Sequence, residues 1–374
     1  MKIIYHACTI LAVLPITLVG IASAQLTAIH PGGDKRASVS EQVGITEVTI
    51  RYNRPAVKNR EEQIWGKLIP VGYTDPGFGT SKAAPWRAGA NENTTIEFST
   101  AVKVEGQSLP AGKYGFFVAY DPTECTLIFS KNSNSWGSFY YNPAEDVLRV
   151  KVKPVPTDKS VEWLKYEFTD EATASAVVRL QWEKLIIPFK IEVDVINTQI
   201  ASFRDELRTE KGFSWVSWTQ AALYCAQNNT NLEEALQWAN TATSATFGGN
   251  ERFSAWSTKA TVLDSLGRSA EAAEAMKSAF QYGSVNDLYA YGRSLIWHKK
   301  AKAAFEIFKI DYDKYPNQYL SNTGMARAYS AMGDYKKALA FAEKADAQAP
   351  DKNNKDWMDG IIKTLQNGKD FNEG

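Results

Sequence analysis

Near Ile196 the spacing of apolar residues changes, and no single layered architecture accommodates both halves of the chain. Upstream, apolar side chains recur at every second position. In the stretch 46–52, Val48, Ile50 and Tyr52 point one way while Thr49 and Arg51 point the other, the alternation of a half-buried strand. Downstream the interval becomes three and four. In 231–239, Leu232, Ala235, Leu236 and Ala239 share one face, as in an amphipathic helix. A chain of 374 residues has room for two domains, each with its own core. The change of period predicts an all-β domain over 25–195 and an all-α domain over 196–374.

Strand-like segments recur at 46–52, 94–99, 101–104, 113–120, 125–130, 147–153, 162–168, 175–182 and 186–195. Turn signals such as Glu105-Gly106, Pro110-Ala111-Gly112, Asp121-Pro122 and Asn142-Pro143 separate them. Short strands punctuated in this way, with no long helical stretch between them, predict an antiparallel sandwich, with a barrel as the alternative.

Residues 1–24 read as a signal peptide rather than as fold. Lys2 precedes an apolar run from Ile3 to Ile21, and Ala22-Ser23-Ala24 stands before Gln25, the basic start, apolar middle and small-residue end of a secretory leader. A membrane anchor is the competing reading, and Pro15 and the cleavage signal argue against it. An exported protein with no transmembrane segment after cleavage is expected. Cys125 and Cys225 then remain, 100 residues apart in different domains with apolar flanks. Buried free thiols are expected rather than a disulfide framework. Lysine plus arginine and aspartate plus glutamate are balanced at 42 each, which argues against a nucleic-acid-coating or strongly membrane-adhering surface. No nucleic-acid partner is expected.

Between Tyr52 and Thr94 lies a connection of some forty residues with little periodicity, and long structureless loops in compact domains are usually functional or disordered. Its polar run from Trp86 to Thr95 sets an aromatic, a cation, a carboxylate and two amides around Gly89. Arg54, Lys58, Arg60, Trp86, Arg87, Asn91 and Glu92 are the candidate ligand-binding residues. In one reading Arg54 and Arg87 hold a carboxylate or sugar acid through charge-assisted bonds; Asn91 and Glu92 orient hydroxyls, and Trp86 stacks on an apolar face. In the other, these side chains bond the loop's own orphan carbonyls and amides. A hydrolase-like site with Glu92 as general base and Arg87 as electrostatic stabiliser is the enzymatic alternative. Against it stand the lack of a Gly-x-Ser-x-Gly elbow or Walker loop and the scarcity of histidine, with only His30 and His298 outside the leader. No catalytic residue is assigned, and no metal or cofactor is expected.

In the helical half, Ala235, Ala272, Ala304 and Ala338 follow one another at separations of 37, 32 and 34 residues. The last unit carries Ala326 and Tyr329, then Gly333-Asp334-Tyr335-Lys336-Lys337-Ala338, then Ala345 and Pro350. This pattern resembles the tetratricopeptide repeat, whose small residues let paired helices approach closely. The resemblance implies a solenoid with a concave face, into which Tyr289, Arg293, Trp297 and Arg327 would point. A protein or peptide partner is expected there, with a spacer or structural scaffold as the alternative.

Upstream, a second resemblance rests on residues in a fixed order. Arg54-Pro55, Lys58-x-Arg60, Ile64-Trp65-Gly66, Leu68-Ile69-Pro70, Trp86-Arg87-x-Gly89-Ala90-Asn91-Glu92, Leu109-Pro110-Ala111-Gly112-Lys113-Tyr114-Gly115 and Asp146-Val147-Leu148-Arg149-Val150 together resemble the secreted bacterial domain of unknown function 2911. It covers roughly 25–195 and implies export into the periplasm of a Gram-negative bacterium, with no established activity to transfer.

Overall fold

The computed structural model describes residues 34–373. The expected leader and His30 lie outside them. Ten strands come first: β1 (Lys35–Val43), β2 (Thr46–Arg54), β3 (Thr94–Phe98), β4 (Val102–Val104), β5 (Gln107–Leu109), β6 (Gly112–Ala119), β7 (Cys125–Ser130), β8 (Asp146–Val152), β9 (Val155–Ala172) and β10 (Ser175–Glu192). They form a six-stranded sheet in the order β1-β2-β3-β6-β7-β8 and a four-stranded sheet in the order β5-β4-β10-β9. Every pairing between these strands is antiparallel.

The two sheets close face to face over one apolar core, as an antiparallel sandwich must to bury both inner faces. Ile50, Ile96, Phe116 and Phe129 come from the larger sheet, and Leu164, Val178, Leu180 and Phe189 from the smaller. Ring contacts cross between them, Phe116 to Phe189 at 5.5 Å and Tyr52 to Tyr166 at 4.7 Å. The expected segments 175–182 and 186–195 belong largely to one long strand. What interrupts the pattern is a bulge at Glu183, which has φ +51° and sits at a register shift. The bulge aims the Glu183 carboxylate at the backbone N–H of Glu62, 2.7 Å away.

Ten α-helices follow: α1 (Val195–Glu206), α2 (Trp215–Gln227), α3 (Leu232–Ala242), α4 (Phe253–Ser265), α5 (Ser269–Tyr282), α6 (Val285–Trp297), α7 (Ala301–Lys314), α8 (Tyr319–Ala331), α9 (Tyr335–Asp346) and α10 (Lys352–Gln366). Ala235, Ala272, Ala304 and Ala338 sit in α3, α5, α7 and α9, each buried on the second helix of a pair. The pairs α2/α3, α4/α5, α6/α7 and α8/α9 pack as neighbours, giving the helical-repeat arrangement that the spacing predicts. Close approach is visible at Phe308, whose ring lies against Gly292 of α6 and Gly324 of α8. Deep in α7, Asp311 is fully buried, and neither carboxylate oxygen meets a hydrogen-bond donor among the described residues. No helix among the described residues is long and apolar enough to cross a membrane. Among the described residues Cys125 and Cys225 are both buried and unpaired.

Candidate functional site

The alternation that sends Val48, Ile50 and Tyr52 into the core puts Thr49, Arg51 and Asn53 on the outer face of the larger sheet. Register extends that face sideways. Arg36 lies opposite Asn53, Ser38 opposite Arg51, Thr95 opposite Arg51 and Lys113 opposite Glu97. The far end of the face is covered by the β7–β8 connection, where Tyr141 packs on Phe117 at 5.4 Å and joins Ile128 in a small buried cluster. The near end stays open as a cleft of about 680 Å³.

Arg36, Arg51 and Lys113 line this cleft with Asn53, Glu92 and Thr95. Glu92 is held from two sides: Arg36 pairs with one oxygen, and Asn53 donates to the other at 2.7 Å. Burial works to raise the Glu92 pKa, but its own backbone amide, Asn53 and Arg36 outweigh burial and hold the carboxyl below its usual value. Arg51 is paired with Glu97 at 2.8 Å. Lys113 makes no salt bridge or side-chain hydrogen bond among the described residues, although it lines the same cleft.

Of the seven candidates, Arg54 at the end of β2 and the other six in the long connection, Glu92 alone lines the cleft. The others fasten the connection to the sandwich or to itself. Arg54 Nε donates to the Leu164 carbonyl at 2.8 Å, and Arg60 donates to the carbonyls of Val57 and Ala56 at 2.9 and 2.7 Å. Lys58, at φ +50°, gives its backbone N–H to the Glu162 carboxylate at 3.0 Å. Trp86 stacks on Trp182 with centroids 6.1 Å apart, and its indole N–H donates to the Gly89 carbonyl at 3.1 Å. Arg87 donates to the Asn91 carbonyl at 2.9 Å and lies over the Phe139 ring at 5.2 Å; burial lowers its pKa. Asn91 adopts φ +56°, the left-handed turn that brings Glu92 to the cleft. Gly89 is needed for close approach, because a Cβ there would sit 2.8 Å from Thr94 Oγ1 and 3.0 Å from the Asn53 carbonyl.

Arg36, Arg51 and Lys113 are the cleft residues that inspection of the loop misses. Their signal is the strand alternation itself, since polar residues spaced two apart on neighbouring strands converge once register is known.

In the helical half, Arg293, Trp297 and Arg327 line one groove of about 470 Å³ with Trp357 and Phe371. Tyr289 lies beneath it, buried, its hydroxyl accepting from Arg327 Nε at 3.1 Å. Trp297 is 83% exposed, an unusual place for an indole.

Residues 34–191 match the family described as "Protein of unknown function (DUF2911)", so the match spans the β-sandwich and ends before the helices. No curated protein matches the chain. Solved structures similar to the helical region include tetratricopeptide-repeat proteins. YrrB, titled a TPR protein with an unusual peptide-binding site, is 16% identical with TM-score 0.27, over 44% of this chain and 84% of its own. A thermophilic repeat protein from Thermus thermophilus is 15% identical with TM-score 0.29, over 46% of this chain and 91% of its own. One from Parabacteroides merdae is 18% identical with TM-score 0.23, over 46% of this chain and 81% of its own.

Proposed function

We propose that this is an exported, two-part binding protein. Its β-sandwich takes a small anionic, hydroxyl-rich ligand such as a sugar acid in the outer-face cleft, and its helical repeats engage a protein partner. The observation that carries the reading is the convergence of Arg36, Arg51 and Lys113 on the open part of the face, with Lys113 lacking an acidic partner among the described residues. A ligand carboxylate would meet Lys113 and the arginines through charge-assisted bonds. Glu92, ionised and already oriented by Asn53 and Arg36, would accept from a ligand hydroxyl. With both oxygens engaged and its pKa lowered, it is better placed to orient a hydroxyl than to take a proton near neutral pH. Export rests on residues 1–24, and N-terminal sequencing of the mature protein should begin at Gln25. Placement in a Gram-negative periplasm rests on the family resemblance.

The test is a thermal-shift series on the mature chain with uronic acids, neutral sugars and inorganic phosphate. Uronic acid at about a hundredfold its Kd should add roughly 2.7 kcal/mol of stability. Lys113→Ala and Arg36→Ala should remove that shift while leaving the ligand-free melting temperature close to the parent's, because Arg36 is 80% exposed. If no anion shifts the melting temperature, the cleft is only a surface depression. For the helical half, capture of a partner from a periplasmic extract should be lost on Trp297→Ala, whose exposed indole contributes little to folding.

A further inference from the structure

After Gly368, which turns at φ +67°, the chain doubles back onto α8 instead of leaving the helices. Asp370, Phe371 and Asn372 are fixed there by side-chain chemistry reaching 40 residues or more back along the sequence. Arg327 Nη1 donates to Asn372 Oδ1 at 2.9 Å, and Asn372 Nδ2 donates in return to the Arg327 carbonyl at 3.1 Å. Ser330 Oγ donates to Asp370 Oδ1 at 2.6 Å and accepts from the Phe371 N–H at 3.3 Å. The Arg327 guanidinium lies 5.1 Å from the Phe371 ring centre and 5.5 Å from that of Trp357.

The groove is thus filled on its α8 side and open on its α6 side. The open side carries Arg293, which has no acidic partner among the described residues, and the exposed indole of Trp297. Arg327 reads an asparagine amide from both directions and an aromatic ring from its face. Such reciprocal amide pairing and cation–π contact are what a site uses to recognise a peptide side chain. Two arginines and no carboxylate among the lining residues make the groove complementary to an acidic segment.

We propose that the groove between α6, α8 and α10 recognises an acidic peptide carrying an aromatic residue followed by asparagine, and that the chain's own Asp370-Phe371-Asn372 occupies it in cis. A partner of that chemistry must displace the internal segment. The inference deepens the protein-partner half of the function proposed above and rests on it. A short tether supplies an effective concentration on the order of 1 mM. A segment seated about ten times more often than released would then bind in trans with a Kd of about 0.1 mM, and its presence in cis would weaken a competitor about tenfold.

The probe is a fluorescent peptide of residues 368–374, Gly-Lys-Asp-Phe-Asn-Glu-Gly, added to the mature chain and read by anisotropy. The double variant Phe371→Ala/Asn372→Ala should bind it about tenfold more tightly than the parent chain. A control peptide with alanine in place of both phenylalanine and asparagine should bind neither, and this control does not depend on the stability of any variant. Should the double variant lose its helical signal, Asn372→Ala alone removes the reciprocal amide pair and leaves Phe371 seated. Equal affinity of parent and variant chains, equal binding of both peptides, or no binding to the variant up to millimolar peptide would each overturn the inference. If partner capture still depends on Trp297 in that case, the broader function stands and only the self-occupied groove falls.

Discussion

Asp311→Asn should stabilise the helical half strongly in mild alkali and much less in mild acid. Asp311 is fully buried in α7, and its carboxylate oxygens find no donor. Lys314, one turn on, spends its ammonium on the carbonyls of Gln281 and Gly283 at 2.7 and 2.9 Å. Burial therefore raises the Asp311 pKa from 3.8 to about 7 against a smaller pull from Lys314. Below about pH 4 the carboxyl holds its proton whether the chain is folded or not, and it contributes no pH dependence. Between about pH 4 and pH 7 the folded chain keeps a proton that the unfolded chain gives up, so stability falls as pH rises, at 1.36 kcal/mol per unit. The full penalty, about 4 kcal/mol, is in place above pH 7. From about pH 5 to pH 8.5 the parent should lose about 3 kcal/mol that the Asn variant does not. Urea unfolding of both proteins at the two pH values, followed by helical circular dichroism, measures that difference of differences. Contributions from other titrating groups cancel between parent and variant. A pH-dependent difference below about 1 kcal/mol, or one that grows toward acid, would refute the assignment of a buried, unpartnered carboxyl.

The remaining expectations concern the long connection, the helix contacts and the thiols. Arg87→Ala removes a charged hydrogen bond to the Asn91 carbonyl and a seat over Phe139, so calorimetry should show a loss of about 2–3 kcal/mol. An unchanged melting temperature with loss of ligand-induced stabilisation would instead restore Arg87 as a binding residue. Gly324→Ala drives a Cβ into the Phe308 ring and should cost about 1–3 kcal/mol, partly recovered by Phe308→Leu in the same chain; a neutral result would mean that α7 and α8 can separate freely. Burial raises Cys125 and Cys225 to pKa values of about 11. Iodoacetamide at pH 8 should therefore label neither thiol in the folded protein and both in denaturant, as intact mass will report.

The larger sheet was legible wherever one face is apolar. The strand at 46–52 shows this best, because Val48, Ile50 and Tyr52 are large and Thr49 and Arg51 are not. β1 escaped because Arg36, Ser38 and Ser40 look outward while the small Ala37 and Val39 look inward, leaving little contrast. β9 and β10 each looked shorter than they are, since a bulge at Glu183 and residues such as Pro156 and Pro188 break the period without breaking the strands. In the helical half, buried alanines at regular intervals made the pairing readable, and the groove residues Arg293, Trp297 and Arg327 came with that register. The cleft was harder to see. Arg36, Arg51, Glu92 and Lys113 lie on four separate stretches, and only register brings them together. Likewise a basic side chain at a strand end or in a loop looks the same in sequence whether it points at a ligand or, like Arg54 and Arg60, at a backbone carbonyl.

The pairing of β2 with β3 also sets an order of events. These strands are neighbours in the sheet, yet the whole connection from Pro55 to Asn93 separates them in the chain. Its closure entropy must be met before the hydrogen bonds between β2 and β3 give anything back. The helical pairs make their contacts with the next helix along, a low-contact-order arrangement that forms early. In refolding from denaturant the helical signal should therefore return well before the tryptophan cluster of Trp65, Trp86 and Trp182 closes over the long connection. The half of the chain that is synthesised first is the half that finishes folding last.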